Sequence, residues 1–238
     1  MRYHIGEKPC EEAHAASAQI KSILEGAEHE YASDPADSDI IVSVGGDGTL
    51  FHTIGSHIHH GKPFIGVNGG TLGFRCAVKK GAFEEILDYL GCKPYSLSIF
   101  RVIWGEESEL AVQDVRVERL DQRALRLRIE MAGKLLSAVH LGDGLLVANA
   151  LGSTGYNLSA GGYKIPLAKE GAVVTPICPF PNPLFDSISS SIPLVGGITI
   201  TPKVDARLVL DDRFYLLKAG TEVTISQEMD AYKLIARG

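Results

Sequence analysis

The sequence contains no C-x-x-C pair and no cysteine–histidine spacing of the kind that holds zinc. Its four cysteines, Cys10, Cys76, Cys92 and Cys178, stand far apart. That excludes a small zinc module and a disulfide framework, and it leaves isolated thiols suited to a reducing compartment, so a cytoplasmic location is expected. The first residues, MRYHIGEKPCEEAH, carry charge where a secretory leader needs an apolar core. No apolar run approaches the roughly 18 residues of a membrane span, and no membrane partner is expected. Basic residues are not in excess: 23 Lys and Arg stand against 29 Asp and Glu, a net charge of −6. Nothing overall favours nucleic acid as a partner, although a local basic pocket for phosphates remains open. Also missing are G-x-x-x-x-G-K-[ST], a G-x-G-x-x-G after a strand, G-x-S-x-G and H-E-x-x-H. These absences remove P-loop phosphate binding, Rossmann-type dinucleotide binding, the nucleophile elbow and the zincin helix.

What remains is a chain of 238 residues, enough for one large domain or two modest ones. Its first part alternates between two periods. RYHIG reads as a strand, and residues 11–25 as a helix with Ala15, Ala18, Ile20 and Leu24 at mainly helical spacing. DIIVSV and PFIGVN are continuous β-branched and apolar runs, as parallel strands covered on both faces require. LFHTIGSHIHH reads as a helix ended by Gly61, and FEEILDYLG as a helix with Phe83, Ile86, Leu87 and Leu90 on one face, closed by Gly91. Strand, helix, strand, helix at these lengths predicts an α/β domain with a parallel sheet over residues 1–96. From residue 97 to 238 the runs become short and alternating, with MAGKL as a tight hairpin turn, and predict a β-rich, mostly antiparallel domain. Its C-terminal segment is free to return to the first domain. Residues 176–193, rich in proline, read as a long loop.

The stretch DIIVSVGGDGT ends a buried strand in a nearly side-chain-free loop that carries one carboxylate, Asp47. In an open α/β sheet, ligands bind beyond the carboxyl ends of the strands. Glycines there let main-chain amides turn toward an anion, and the following helix adds the positive end of its dipole. These features suit phosphate, which a carboxylate repels. Asp47 therefore makes chemical sense as a ligand of Mg²⁺ or as the acceptor of a proton from an attacking hydroxyl, both roles in phosphoryl transfer. The plainer alternative is a tight turn with an Asp or Thr helix cap. A second glycine loop, NGGTLGF (68–74), follows the next strand, and a third cluster runs through GDG (142–144) and GSTGYNLSAGG (152–162). Three such clusters in one small chain speak against turns alone.

In this order and rough spacing, GGDGT, NGGTLGF, GDGLLVANALGSTGYNLSAGG and TPICPF resemble the NAD kinase family, over residues 39–180. The resemblance implies a kinase that transfers the γ-phosphate of ATP, or of polyphosphate, to the 2′-hydroxyl of the adenosine ribose of NAD. It implies a divalent cation, Mg²⁺ or another, and a homodimer or homotetramer in which a neighbouring subunit completes the dinucleotide site. Carried over position by position, Asp47 takes the catalytic place, as base or Mg²⁺-linked group, with Gly46, Gly48 and Thr49 shaping its loop. Leu72, Gly73 and Phe74 match the segment lining the dinucleotide pocket. Asp143 matches an acidic residue that contacts substrate across the subunit interface, and Thr154, Tyr156 and Ser159 match hydroxyl and aromatic contacts to the adenosine. Where the family usually has Asn-Glu after the domain boundary, this chain has Gln113-Asp114. One side chain is a methylene longer and the other a methylene shorter, moving their polar atoms by about 1 Å each way. S-T-P-T-G-S-T-A-Y becomes ANALGSTGY (148–156), and a late Asp-Gly becomes Asp211-Asp212. The sequence thus reads as a divergent member. A lipid or small-alcohol kinase sharing GGDGT and a nucleotide-binding regulator without turnover are the alternatives.

Other features invite plainer readings. His52, His57, His59 and His60 are irregularly spaced for one helix face, so no metal ligands are assigned; His52 alone lies within a turn of Asp47. Lys79-Lys80 reads as a solvated helix start. Arg116, Arg119, Arg123, Arg126 and Arg128 alternate with apolar residues and read as a solvated face, and Trp104 and Tyr163 as packing residues.

Overall fold

The structure, a computed structural model, describes residues 1–70, 73–180 and 184–236. The chain divides into two compact units: Met1–Leu97 together with the chain from Asp230 onward, and Ser98–Met229. Among the described residues no helix is long and apolar enough to cross a membrane.

The first unit is built on β1 (Arg2–Glu7), α1 (Glu11–Gly26), β2 (Glu30–Tyr31), β3 (Ile40–Gly45), α2 (Asp47–His57), β4 (Pro63–Asn68) and α3 (Ile86–Leu90). β1 pairs in parallel with β2 and β3, and β3 with β4. Every residue of β3 is buried, which explains its unbroken apolar sequence. α1 turns Ala13, Ala16, Ser17, Ile20 and Leu24 inward. Ala15 and Ala18, expected on that face, are exposed. Counting back from Leu24 in helical steps reaches 20, 17 or 16, and 13, and the scattered small alanines had obscured that phase. α2 begins at Asp47, and a 3₁₀ turn, Ile58–His60, follows it and stops at Gly61 in the left-handed region (φ 66°). The expected helix at FEEILDYLG is instead a 3₁₀ turn, Phe83–Glu85, followed by α3, and Leu87 lies exposed while Phe83 and Ile86 pack inward.

The second unit takes in β5 (Tyr95–Trp104) from Ser98 on, β6 (Glu107–Ala111), β7 (Asp114–Arg119), β8 (Leu125–Met131), β9 (Lys134–Gly142), β10 (Gly144–Asn149), α4 (Tyr156–Ser159), β11 (Ala172–Ile177), β12 (Ile192–Pro193), β13 (Gly197–Pro202), β14 (Ala206–Leu210), β15 (Arg213–Leu217) and β16 (Val223–Ile235) as far as Met229. One antiparallel sheet runs β12-β11-β10-β7-β14-β15. In another, β13 pairs antiparallel with β8 and with the first half of β16, and β8 pairs with β9. Val115, Val117, Leu145, Val147 and Leu208 of the former meet Leu127, Ile129, Ile198, Ile200 and Ile225 of the latter in one core. The last residues of β16, Lys233–Ile235, belong to the first unit and extend its parallel sheet beside Pro63–Ile65 of β4.

Three readings change here. The alternating run LAVQDVRVE (110–118), which in sequence reads as one strand, breaks at Val112-Gln113 between β6 and β7. The proline-rich loop does not begin at 176, because β11 continues, fully buried, to Ile177. Trp104 is 8% exposed and packs on Tyr215 at 4.9 Å between ring centroids, whereas Tyr163 is 41% exposed and is not a core residue.

Candidate active site

In the first unit, the site grows from two loops at the carboxyl ends of β3 and β4. Gly46, at the helix N-cap, has no side chain to cap with, so the amides of the first turn of α2 lack partners within the helix. Asp47 does not cap that helix either. Its Oδ2 accepts the amide of Phe74 at 3.1 Å and its Oδ1 the amide of Arg75 at 2.8 Å. The second glycine loop therefore aims the carboxylate supplied by the first. The loops are also tied together directly, the Gly69 amide donating to the Gly45 carbonyl at 3.0 Å. Asn68 Oδ1 accepts the Gly70 amide at 3.0 Å, closing a short Asx turn. Behind the loop, Ser43 and Thr53 hydroxyls meet at 2.9 Å, and Thr53 Oγ1 donates to the Thr49 carbonyl at 2.8 Å, pinning the start of α2 to β3.

Two groups beside Asp47 were not foreseen. Burial pushes the Cys76 thiol up to about 12, with the Asp47 charge adding to the rise, and its Sγ lies 4.0 Å from Asp47 Oδ1. Arg75 is half-buried; burial draws its pKa down, while Asp47 and then Tyr232 act in the opposite direction. Gly48 is exposed and Thr49 half-buried. Gly73 sits tight against the Asn68 side chain, where a Cβ would fall 2.8 Å from Asn68 Cγ, and Phe74 is 83% exposed. Leu72 lies outside the described residues.

A carboxylate has about four lone-pair positions; two amides and a long contact from the Cys76 thiol on Oδ1 still leave acceptor capacity on Asp47 for a hydroxyl proton or a cation. Among the described residues no group of three or more His, Cys, Asp or Glu is arranged to hold a metal. Mg²⁺ is commonly bound by one or two carboxylates together with substrate phosphates rather than by a protein cage, and Asp47 fits that manner of binding. His4 and three of the histidines after Asp47 make a row of ring contacts: His4 edge-on to His57 at 5.7 Å, His57 stacked on His60 at 5.7 Å and His59 tilted against His60 at 4.0 Å. Burial and then its histidine neighbours hold the His57 imidazole below its usual range. His52 is exposed.

In the second unit, Gln113 and Asp114 come together with the Gly152–Tyr156 segment. Gly152 touches the Gln113 carbonyl so closely that no Cβ fits between them. Arg116, expected on a solvated face, is a hub with its side chain 21% exposed. Its Nε lies 3.4 Å from Asp114 Oδ1, without the alignment of a hydrogen bond. Its Nη1 donates to Glu118 at 3.0 Å and its Nη2 to the Asp211 carbonyl at 3.1 Å. Its guanidinium lies over the Tyr156 ring, 5.4 Å from the centroid. Burial pushes Asp114 up to about 7; Arg116 works against this, and Asp211 and Glu118 add to it. Asp143, between β9 and β10, pairs with Arg119 at 3.2 Å. Burial raises the Tyr156 phenol, with Glu118 and, more weakly, Asp143 adding to the effect. Thr154, Tyr156 and Ser159 all stand exposed.

The residues that shape this segment are buried polar ones that motif reading passed over. Asn157 donates to the carbonyls of Ser153 (2.9 Å) and Tyr163 (3.1 Å), and accepts from Thr175 Oγ1 (2.6 Å). Ser153 Oγ accepts the Ile165 amide at 2.9 Å and donates to the Ala150 carbonyl at 3.0 Å. Their signal in the sequence was polarity inside a glycine-rich run, easily taken for exposure.

Comparison with known proteins gives this geometry a context. Residues 5–91 match the model of the ATP-NAD kinase N-terminal domain, and residues 115–188 that of the ATP-NAD kinase C-terminal domain. This chain belongs to the NAD kinase family. The NAD kinase of Rickettsia bellii is 36% identical over 151 residues, 62% of this chain and 59% of its own length. That of Rhizobium meliloti is 32% identical over 178 residues, 72% of this chain and 66% of its own. The aligned chain thus spans about three fifths of the Rickettsia relative's length. Among solved structures, yeast NADH kinase complexed with NADH superposes with a TM-score of 0.82 at 20% identity, covering 100% of this chain and 84% of that one. An NAD kinase from Archaeoglobus fulgidus in complex with ATP gives 0.75 at 22%, covering 98% and 92%. Both share the α/β and antiparallel β architecture described above. The two family matches favour neither the lipid-kinase nor the regulator alternative.

Proposed function

We propose that this protein transfers the γ-phosphate of ATP to the 2′-hydroxyl of the adenosine ribose of NAD, forming NADP. The observation that carries the proposal is Asp47: a carboxylate at the tip of β3, aimed by the Phe74 and Arg75 amides rather than spent on capping its own helix. In the reaction, the 2′-oxygen forms a bond to the γ-phosphorus as the bond to the β,γ-bridging oxygen breaks. The hydroxyl proton passes to Asp47, and ADP leaves. The amides at the start of α2, which have no cap from a side chain, offer donors to phosphate oxygens. A bound Mg²⁺ neutralises phosphate charge, and Asp47 is the side chain that would hold it. Gly46, Gly48 and Thr49 keep the loop open to phosphate, and Leu72, Gly73 and Phe74 line the approach of the dinucleotide. Gln113 and Asp114 address its hydroxyls, with Thr154, Tyr156 and Ser159 on the adenosine. Asp143 contacts the dinucleotide of a neighbouring subunit in a homodimer or homotetramer, and the cytoplasm supplies both substrates.

The test is direct. Purified protein with Mg²⁺, ATP and NAD is assayed for NADP by an NADP-specific dehydrogenase, with polyphosphate in place of ATP and NADH in place of NAD as parallel arms. NADP formation that needs both the donor and the divalent cation is expected. No phosphorylated dinucleotide in any arm would remove the proposal.

A further inference from the structure

The bend Val112–Asp114 between β6 and β7 presents the Gln113-Asp114 pair, and two residues account for its backbone. The Val112 and Gln113 amides each donate to the Asp211 carboxylate at 2.8 Å, to Oδ2 and Oδ1 respectively. The Asp114 amide reaches Asp211 Oδ1 at 3.4 Å. On the acceptor side, the Val112 carbonyl takes Asn149 Nδ2 at 2.8 Å. The Gln113 carbonyl takes the Asn149 amide at 3.1 Å, and the Asp114 carbonyl takes the Asp211 amide at 3.1 Å. Asp211 and Asn149 thus meet every main-chain donor and acceptor of the bend. Asn149 then turns its Oδ1 to the amides of Leu151 (3.0 Å) and Gly152 (3.2 Å), tying the bend to the Gly152–Tyr156 segment.

We infer that Asp211 is a positioning residue for dinucleotide recognition: its carboxylate fills the nest of amides at 112–114 and so fixes the direction in which the Gln113 and Asp114 side chains leave the chain. The inference rests on the reading of Gln113-Asp114 as dinucleotide contacts. Asp211 is the first residue of the two-residue turn between β14 and β15 and takes the left-handed conformation (φ 56°) that such turns adopt; the same conformation serves both its contacts, the amide to Asp114 and the carboxylate to Val112 and Gln113. Burial raises the Asp211 carboxyl, and the three amides act against the rise. The Arg116 guanidinium on the Asp211 carbonyl links the same corner to Asp114 and Tyr156. The chemistry calls for a carboxylate: two oxygens each take an amide, whereas an amide side chain offers one oxygen and turns N–H groups against the second donor.

Asp211→Asn separates positioning from mere support, because it keeps size and shape. Displacement of contact groups by about 1 Å can cost on the order of 10²-fold in a tuned site. The KM for NAD should therefore rise by about 10- to 100-fold, while the KM for ATP and kcat stay within about threefold. Amide hydrogen exchange without ligand should quicken at Val112 and Gln113 and stay unchanged in β10 and β11. The exchange arm is independent of turnover: local quickening in a protein that makes no NADP supports the clamp and removes the NAD reading instead. An unchanged KM for NAD with unchanged exchange overturns the inference. So does a parallel decline of all kinetic constants with exchange faster throughout the unit, the mark of a purely structural residue. Asp211→Ser, with one acceptor oxygen in a side chain suited to turns, carries the same measurements should Asp211→Asn not fold.

Discussion

Replacing Asp47 by Asn keeps the side-chain outline and removes the charge, so it tests the central carboxylate with little steric change. Two effects have to be kept apart. In the folded protein, Asp47 accepts amides from Phe74 and Arg75. Asn retains one acceptor oxygen and turns an NH₂ against the other amide, leaving one donor poorly served. That loss is worth about 1–3 kcal/mol, against a typical total stability of about 5–15 kcal/mol, so the variant should fold with a lowered unfolding midpoint. In the proposed reaction, the loss is of a proton acceptor and of a cation ligand. A positioned acid–base group contributes about 10²–10⁴-fold, or about 2.7–5.4 kcal/mol of barrier. The dehydrogenase-coupled assay at saturating ATP, NAD and Mg²⁺ should show kcat reduced by that range. Urea unfolding followed by circular dichroism should show the smaller stability change. Asp47→Glu separates charge from placement: it restores the carboxylate one methylene further out, and its kcat should stay at least tenfold below wild type. Turnover of Asp47→Asn at the wild-type rate, in protein that is demonstrably folded, would refute the assignment.

Three further outcomes follow from the same geometry. The double variant Gln113→Asn, Asp114→Glu should change the KM for NAD more than kcat, and inserting a methylene at Asp114, whose side chain is only 6% exposed, should cost about 1–3 kcal/mol of stability; an effect on kcat alone contradicts the placement. Asp114 is pushed up to about 7 from 3.8, so between those pH values the folded chain keeps a proton that the unfolded chain has lost, and stability declines as pH rises. Asp114→Asn should flatten the dependence of unfolding free energy on pH across that window, by up to about 4 kcal/mol in total, and a parallel slope in the two proteins speaks against the raised carboxyl. Cys76, buried and with its thiol pushed up to about 12, should resist iodoacetamide at pH 8 while the exposed Cys92 and Cys178 react; mass mapping that finds Cys76 modified as fast as Cys92 contradicts its environment.

The parallel half of the fold was legible because burial on both faces leaves a plain mark: IIVSVG and PFIGVN have almost no polar residue to confuse the period. Where the signal was weaker, the reading slipped for identifiable reasons. α1 is so rich in alanine that several phases of its buried face look alike, and packing selected Ala13 and Ala16 over Ala15 and Ala18. The break at Val112-Gln113 has no proline or glycine to announce it. It is held by a carboxylate almost a hundred residues further on, at Asp211, and such a long-range partner leaves no local trace.

The site divides in the same way. Glycine loops are readable because their function requires the absence of side chains, so Asp47 stood out as the exception. Its neighbours did not: Arg75 and Cys76 follow directly on the second loop, and the main-chain amides of Phe74 and Arg75 aim the carboxylate, with the Cys76 thiol 4.0 Å from it. Arg116 shows the limit of alternation as evidence. It sits where β7 should face solvent, flanked by buried valines, yet Asp114, Glu118, Tyr156 and the Asp211 carbonyl gather around it. Alternation reports which side of a strand a residue occupies and is silent on whether that side is covered. In this unit, α4 and the hairpin corner at Asp211 bring polar groups over the outer face of β7. A charged residue there becomes the centre of a network that holds the proposed dinucleotide contacts. The divergence at Gln113-Asp114 therefore has a physical setting: a shorter acid at 114 keeps its carboxylate close to the strand, within reach of Arg116 Nε at 3.4 Å, and a longer one would have to displace that guanidinium or leave the network.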